Sequence, residues 1–218
     1  MTVETKIDLD GFLLRCRWLG GSALLIQEGL TVYIDPAGAP AGSPKADVVF
    51  LTHPCGDHLV EKDVDAVSTP ATVVAGPRDC VSKFRLNQMP VKPGVDLDIL
   101  GMKVKPVAAY NTREGSPHFK GNDWLGYFIR FPGACSIYYP GASSFVPEMR
   151  GLRPEILFFP VAVHDGLLES EVVPFLEELA PKIVIPIHYV PERDRPALER
   201  VRAACRTMGI DCREREAA

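Results

Sequence analysis

Several things are missing from this chain of 218 residues, and each absence removes a class of function. No block of lysine and arginine occurs, and 24 basic against 28 acidic side chains leave a net charge of −4. Electrostatic capture of nucleic acid or of an anionic membrane surface is therefore not expected. Apolar runs stop far short of the roughly 20 residues that a membrane helix needs. The N-terminus, MTVETKIDLDGFLLRC, lacks a basic stretch followed by an apolar core, so no secretory signal is expected. Six cysteines, at 16, 55, 80, 135, 205 and 212, show no CxxC spacing. Reduced thiols in a cytoplasmic protein are the expectation. Sequence repeats, low-complexity tracts and long linkers are also absent, and the expectation is one domain over 1–218. No glycine-rich phosphate loop joins an early strand to a helix, which weakens a Rossmann reading.

What is present is a run of short strands. β-rich stretches at 12–19, 22–28 and 31–35 are divided by glycine turns, and 47–52 is a nearly continuous apolar run of the kind buried on both faces. Further strands are expected at 72–76, 95–100, 102–110, 124–131 and 135–140, with a short helix near 77–84. Later the pattern changes to buried strands at 155–161 and 182–189, separated by an amphipathic helix at 169–181 and followed by a helix at 192–209. Pro174 falls early enough in its helix to be tolerated. An α/β fold with two sheets covered by helices, a four-layer αββα sandwich, accommodates both halves.

The chemistry gathers at strand ends. The strand DVVFLT runs directly into His53, Cys55, Asp57 and His58, all competent ligands for zinc or a similar cation. A plainer account makes this a loop whose His and Asp cap the next helix. His188 ends the strand KIVIPIHY as His53 follows its own strand, and Asp35 ends TVYID, where a turn-forming role before Pro36 also fits. His118 and His164 fall in loops and, taken alone, read as surface or packing histidines. Cys55 beside two histidines also leaves a cysteine nucleophile open. Trp124, Tyr127, Tyr138 and Tyr139 read as core aromatics more readily than as pocket walls.

The ordered segments WLGGSALLIQEGLTVYIDP, VVFLTHPCGDHL, AAYN with SPHFKGNDWLGYFIR, SIYYPGASSFVPEM and ELAPKIVIPIHY resemble the metallo-β-lactamase superfamily over 18–189. The likeness is to its short branch of predicted metal-dependent hydrolases that includes ascorbate-6-phosphate lactonase-like proteins. The resemblance implies the αββα fold with a metal site at one edge. It assigns His53 and Cys55 to a first metal, and Asp57, His58 and His188 to a second. Asp35, His118 and His164 become additional site candidates. Three positions depart from the pattern. Cys55 stands where histidine is usual, Ala142 where a bridging aspartate is usual, and Gly21 where the Gly-His-Ser motif has histidine. The implied function is hydrolysis of a small ester, lactone or phosphoester, with Asp57 orienting or deprotonating water. One zinc is expected rather than two, with iron or manganese as alternatives. The competing reading is a protein of this fold that has lost hydrolysis and metal and serves in binding or regulation.

Overall fold

The computed structural model describes residues 7–85, 87–161 and 166–217. Among the described residues the first element is a helix, α1 (Leu9–Leu14), where a strand is expected from residue 12. Asp8 caps it by accepting the Gly11 N–H at 2.8 Å. Leu9, Phe12 and Leu13 follow a helical spacing that turns one apolar face to the core, and this outweighs the β propensity of the stretch. Among the described residues, extended structure begins at Cys16.

Six strands form the first sheet in chain order: β1 (Cys16–Gly20), β2 (Ala23–Glu28), β3 (Leu30–Ile34), β4 (Val48–Phe50), β5 (Val73–Gly76) and β6 (Asn87–Pro90). The first three pair antiparallel and the rest parallel. β6 is polar and exposed, which hid it from a search for apolar alternation. Helices α2 (Glu61–Val67) and α3 (Arg78–Val81) lie in the connections on either side of β5.

The second sheet contains β7 (Leu97–Ile99), β8 (Met102–Ala108), β9 (Leu125–Arg130), β10 (Ser136–Tyr139), β11 (Ile156–Pro160), β12 (Ile183–Ile187) and β13 (Asp211–Cys212). They lie in sequence order across the sheet, antiparallel up to β10 and parallel from there on. α4 (Val172–Leu179) connects β11 to β12, and α5 (Pro191–Met208) connects β12 to β13. Pro174 sits in the first turn of α4, and Gly209 ends α5 at φ 68°. Among the described residues, no helix is long and apolar enough to cross a membrane.

Alternation along the strands builds the layers. Leu24, Ile26, Val32, Ile34, Val48 and Phe50 share a core with Tyr127, Ile137, Tyr139, Phe158 and Ile185, so it lies between the sheets. Their neighbours Leu25, Tyr33, Val49 and Leu51 pack with Val64 and Val67 of α2 and Cys80 and Val81 of α3. On the far side, Tyr138, Leu157, Phe159 and Val184 meet Phe175, Leu176 and Leu179 of α4 and Val201 and Cys205 of α5. Burying each such large side chain contributes about 1.5–3 kcal/mol. The order is helix, sheet, sheet, helix.

The two sheets are also tied at one edge by polar contacts. Leu125 N–H donates to the Thr52 carbonyl at 3.0 Å. The Tyr127 hydroxyl donates to the Leu51 carbonyl at 2.6 Å, and the Tyr139 hydroxyl to the Ser22 carbonyl at 2.8 Å. Gly141 permits the close approach, because a Cβ there would stand 2.8 Å from the Leu125 oxygen and 3.4 Å from the Thr52 Cβ. Its φ of +66° is a second reason for glycine.

Candidate metal centre

The C-terminal ends of β3, β4 and β12 meet at this tied edge. Asp35 follows β3 directly, and Asp35 N–H donates to the Phe50 carbonyl of β4 at 3.0 Å. Asp35 and His188 both adopt left-handed backbone, at φ 45° and 55°. Such strain costs on the order of 1–3 kcal/mol each and is typical of sites that aim a side chain.

Asp35 is fully buried, and its carboxylate organises the histidines. Oδ1 accepts the Thr52 N–H at 2.8 Å, and Oδ2 accepts the Thr52 hydroxyl at 2.6 Å. His58 Nδ1, 2.7 Å from Oδ2, must then carry the proton it donates. Thr52 Oγ1 has given its single hydrogen to Asp35, so it accepts from His53 Nδ1, 2.8 Å away. One carboxylate and one hydroxyl thus set both imidazoles in the tautomer that leaves Nε2 bare. His58 Nε2 is buried and has no hydrogen-bond partner among the described residues.

Two donor groups result. His53, Cys55 and His118 each offer one ligand atom, all within 4.8 Å of one another, and Asp57, His58 and His188 form a second group of the same kind. Cys55 Sγ is 3.7 Å from His118 Nε2, and Asp57 Oδ2 is 3.3 Å from His188 Nε2. The His53 and His58 rings, one from each group, lie 4.0 Å apart. Burial, with the neighbouring His58 and His118 imidazoles, pushes the His53 pKa well below its ordinary value. Its ring is therefore neutral and available as a donor. The His188 imidazole beside Asp57 holds that carboxyl well below the usual carboxylate range, against a modest opposing effect of burial.

His118 is not the surface or packing residue that its loop suggests when taken alone. It is buried, and its ring stands 4.9 Å from that of His53. Asp35 belongs to neither donor group and acts through His58. His164 lies outside the described residues. Ala142, three residues beyond β10, is buried and presents only a methyl group. Tyr127, Tyr138 and Tyr139 are core residues, whereas the half-buried Trp124 ring lies 5.4 Å from His53 and 4.7 Å from His118.

Thr52 and Ser22 do not stand out in the sequence as site residues. Ser22 is buried and donates its hydroxyl to the Asp57 carbonyl at 2.6 Å, pinning the loop that carries Cys55, Asp57 and His58. The one signal for Thr52 is a polar residue closing an apolar strand immediately before a histidine.

The sequence profile described as "Beta-lactamase superfamily domain" matches residues 15–188. A UPF0173 metal-dependent hydrolase of Thermus thermophilus is 28% identical over 191 residues, which cover 81% of this chain and 84% of the relative. The crystal structure of a protein described as a metal-dependent hydrolase from Parabacteroides distasonis superposes with a TM-score of 0.81. It is 27% identical, over 93% of both chains. A metallo hydrolase from the archaeon Ignicoccus hospitalis shares the fold at a TM-score of 0.70 and 19% identity, over 93% of this chain and 95% of that one.

Proposed function

The chain belongs to the beta-lactamase superfamily, and on that premise we propose that it is a metal-dependent hydrolase of small molecules. The observation that carries this reading is the bare His58 Nε2. A buried nitrogen lone pair without a partner costs about 1–3 kcal/mol, and a cation facing it removes that penalty. Asp35 behind the opposite ring nitrogen is the usual support of a ligating histidine. The donor sets, two imidazoles with a thiolate and two with a carboxylate, suit zinc, with iron or manganese as alternatives.

His53, Cys55 and His118 would hold an ion on one side of the site, and Asp57, His58 and His188 on the other. One ion per chain is the favoured loading. The thiolate of Cys55 and the carboxylate of Asp57 balance one dication, and Ala142 supplies no carboxylate to screen a second. When bound, the ion would supply Lewis acidity toward a carbonyl or phosphoryl oxygen and toward water. Asp57, exposed at the mouth and kept anionic by His188, orients the attacking water and accepts its hydrogen. The water oxygen bonds to the acyl or phosphoryl centre, the bond to the leaving oxygen breaks, and the proton passes to that oxygen. Small esters, lactones and phosphoesters fit this chemistry, and the motif resemblance to ascorbate-6-phosphate lactonase-like proteins supports keeping lactones among them. The net charge of −4 supports small molecules over nucleic acid, and six cysteines that form no disulfide among the described residues support a reducing, cytoplasmic setting. The proposal takes 1–218 as one domain around the site.

Metal analysis of protein purified without an affinity tag tests this reading. About one equivalent of zinc, iron or manganese, lost from Asp57→Ala and from Cys55→Ala, is expected. Metal-free protein whose stability does not respond to added zinc would overturn it.

A further inference from the structure

A cavity of about 610 Å³ is lined by Trp18, Gly20, Gly21, Tyr189, Val190 and Pro191 together with residues 214–217 of the C-terminal segment. Chain connectivity relates it to the second donor group. Tyr189 follows His188, so their Cα atoms are ~3.8 Å apart. Gly21 precedes Ser22, whose hydroxyl holds the Asp57 carbonyl at 2.6 Å. The Trp18 and Tyr189 rings stack at 5.0 Å and give the cavity a rigid aromatic floor. The Trp18 indole N–H is already donated to the Gly21 carbonyl at 2.9 Å. Val190 is 45% exposed and makes an apolar side wall.

The charged residues of the lining, Glu214, Arg215 and Glu216, come from the C-terminal segment, whose Ala217 Cβ would stand 3.8 Å from a Cβ at Gly20. Glu214 is paired with Arg202 at 3.0 Å, and Arg215 donates to the Cys16 carbonyl at 2.9 Å. Gly21 adds no side chain to the lining. A Cβ there would meet nothing within 4 Å, so any side chain at this position would project into unfilled volume. This is the position where the resembling motif Gly-His-Ser carries an imidazole.

Resting on the hydrolase reading above, we propose that this cavity is the substrate's apolar subsite. It would take an uncharged aryl group of one or two rings attached to the bond that is hydrolysed. An apolar cavity of about 150 Å³ suffices for benzene, so the volume here admits a bicyclic group with room to spare. The aromatic floor and the apolar wall favour a ring, and two carboxylates in the lining, Glu214 and Glu216, against the single guanidinium of Arg215 argue against a sugar phosphate or other anion at this position.

The test compares 2-naphthyl acetate with phenyl acetate on the zinc-loaded protein, together with calorimetric titration by 2-naphthol. The wild type is expected to favour the naphthyl ester about tenfold in kcat/KM, in line with the modest discrimination that apolar pockets achieve. In Gly21→Asn, whose side chain tolerates the left-handed φ of +49°, that ratio falls toward one and 2-naphthol binding weakens. Val190→Asp is the second variant, because an aspartate at the N-cap of α5 suits the helix while placing charge on the apolar wall. The same two losses are expected there. Equal efficiency on both esters with no naphthol binding would overturn the subsite and leave the hydrolase reading intact. Naphthol binding that both variants weaken, in a protein that hydrolyses neither ester, would support the subsite and count against the hydrolase reading.

Discussion

Asp35 has no route to a bound ligand of its own, yet it decides what two histidines can do. With Thr52 it takes up the Nδ1 protons of His58 and His53, and both Nε2 atoms are left as donors. Asp35→Asn keeps the size but places an amide N–H where three donors now converge on acceptors. We expect zinc affinity to fall about 10–100-fold in this variant, measured by competition with a chromophoric chelator. Unchanged affinity would show that the tautomers are set elsewhere. In the sequence Asp35 reads equally well as a turn residue before Pro36. Its role depends on Thr52 and His58, respectively 17 and 23 positions away, and no local pattern contains them.

The strands act as carriers that deliver these residues to one edge, and β9 and β10 hold the two sheets in register there. Tyr139→Phe removes the donor to the Ser22 carbonyl and leaves that buried oxygen unpaired. A loss of about 1–2 kcal/mol in urea unfolding is expected, and a change below about 0.5 kcal/mol would refute the tie. Glu155 does similar work at the opposite end of β10, accepting from Ser136 N–H at 2.7 Å and from its hydroxyl at 2.8 Å. Burial pushes its pKa up, but the Ser136 hydrogen bonds and the Lys182 charge outweigh this, and the net shift is downward. A depressed folded-state pKa means that the stabilisation is complete above the unfolded value of about 4.3 and is lost as pH falls through the folded value. The stability difference between wild type and Glu155→Gln should therefore hold at neutral pH and shrink below about pH 4, as followed by acid denaturation. A difference constant down to pH 2 would contradict this.

For the whole molecule, a cation that binds only the folded state links site and fold. Zinc at about 100 times its dissociation constant adds about 2.7 kcal/mol, which raises the melting temperature of a chain this size by about 5–10 °C. Differential scanning calorimetry should show that rise in the wild type, its reversal by a chelator, and its absence in Asp57→Ala. A wild-type transition indifferent to both zinc and chelator would count against a metal centre. The four layers place all six donors at one end of the sandwich, so unfolding disperses them together.

The αββα class was legible in the sequence because strand alternation and helical periodicity are local, and local patterns repeat along each element. DVVFLT and KIVIPIHY announce buried strands ending in histidine for the same reason. Where a local signal is weak or contested, sequence and structure part: residues 12–14, within a strand by β propensity, belong to the Asp8-capped helix Leu9–Leu14, and the polar edge strand Asn87–Pro90 carries no apolar alternation. Only the tertiary structure decided that His118 turns inward against His53, that Asp35 and Thr52 hold two imidazoles in one tautomer, and that Gly21 and Tyr189 line one cavity. Each of these depends on residues far apart in the chain meeting at one sheet edge. Sequence periodicity sets which face a side chain takes, but the packing of the two sheets sets which other residues share that face.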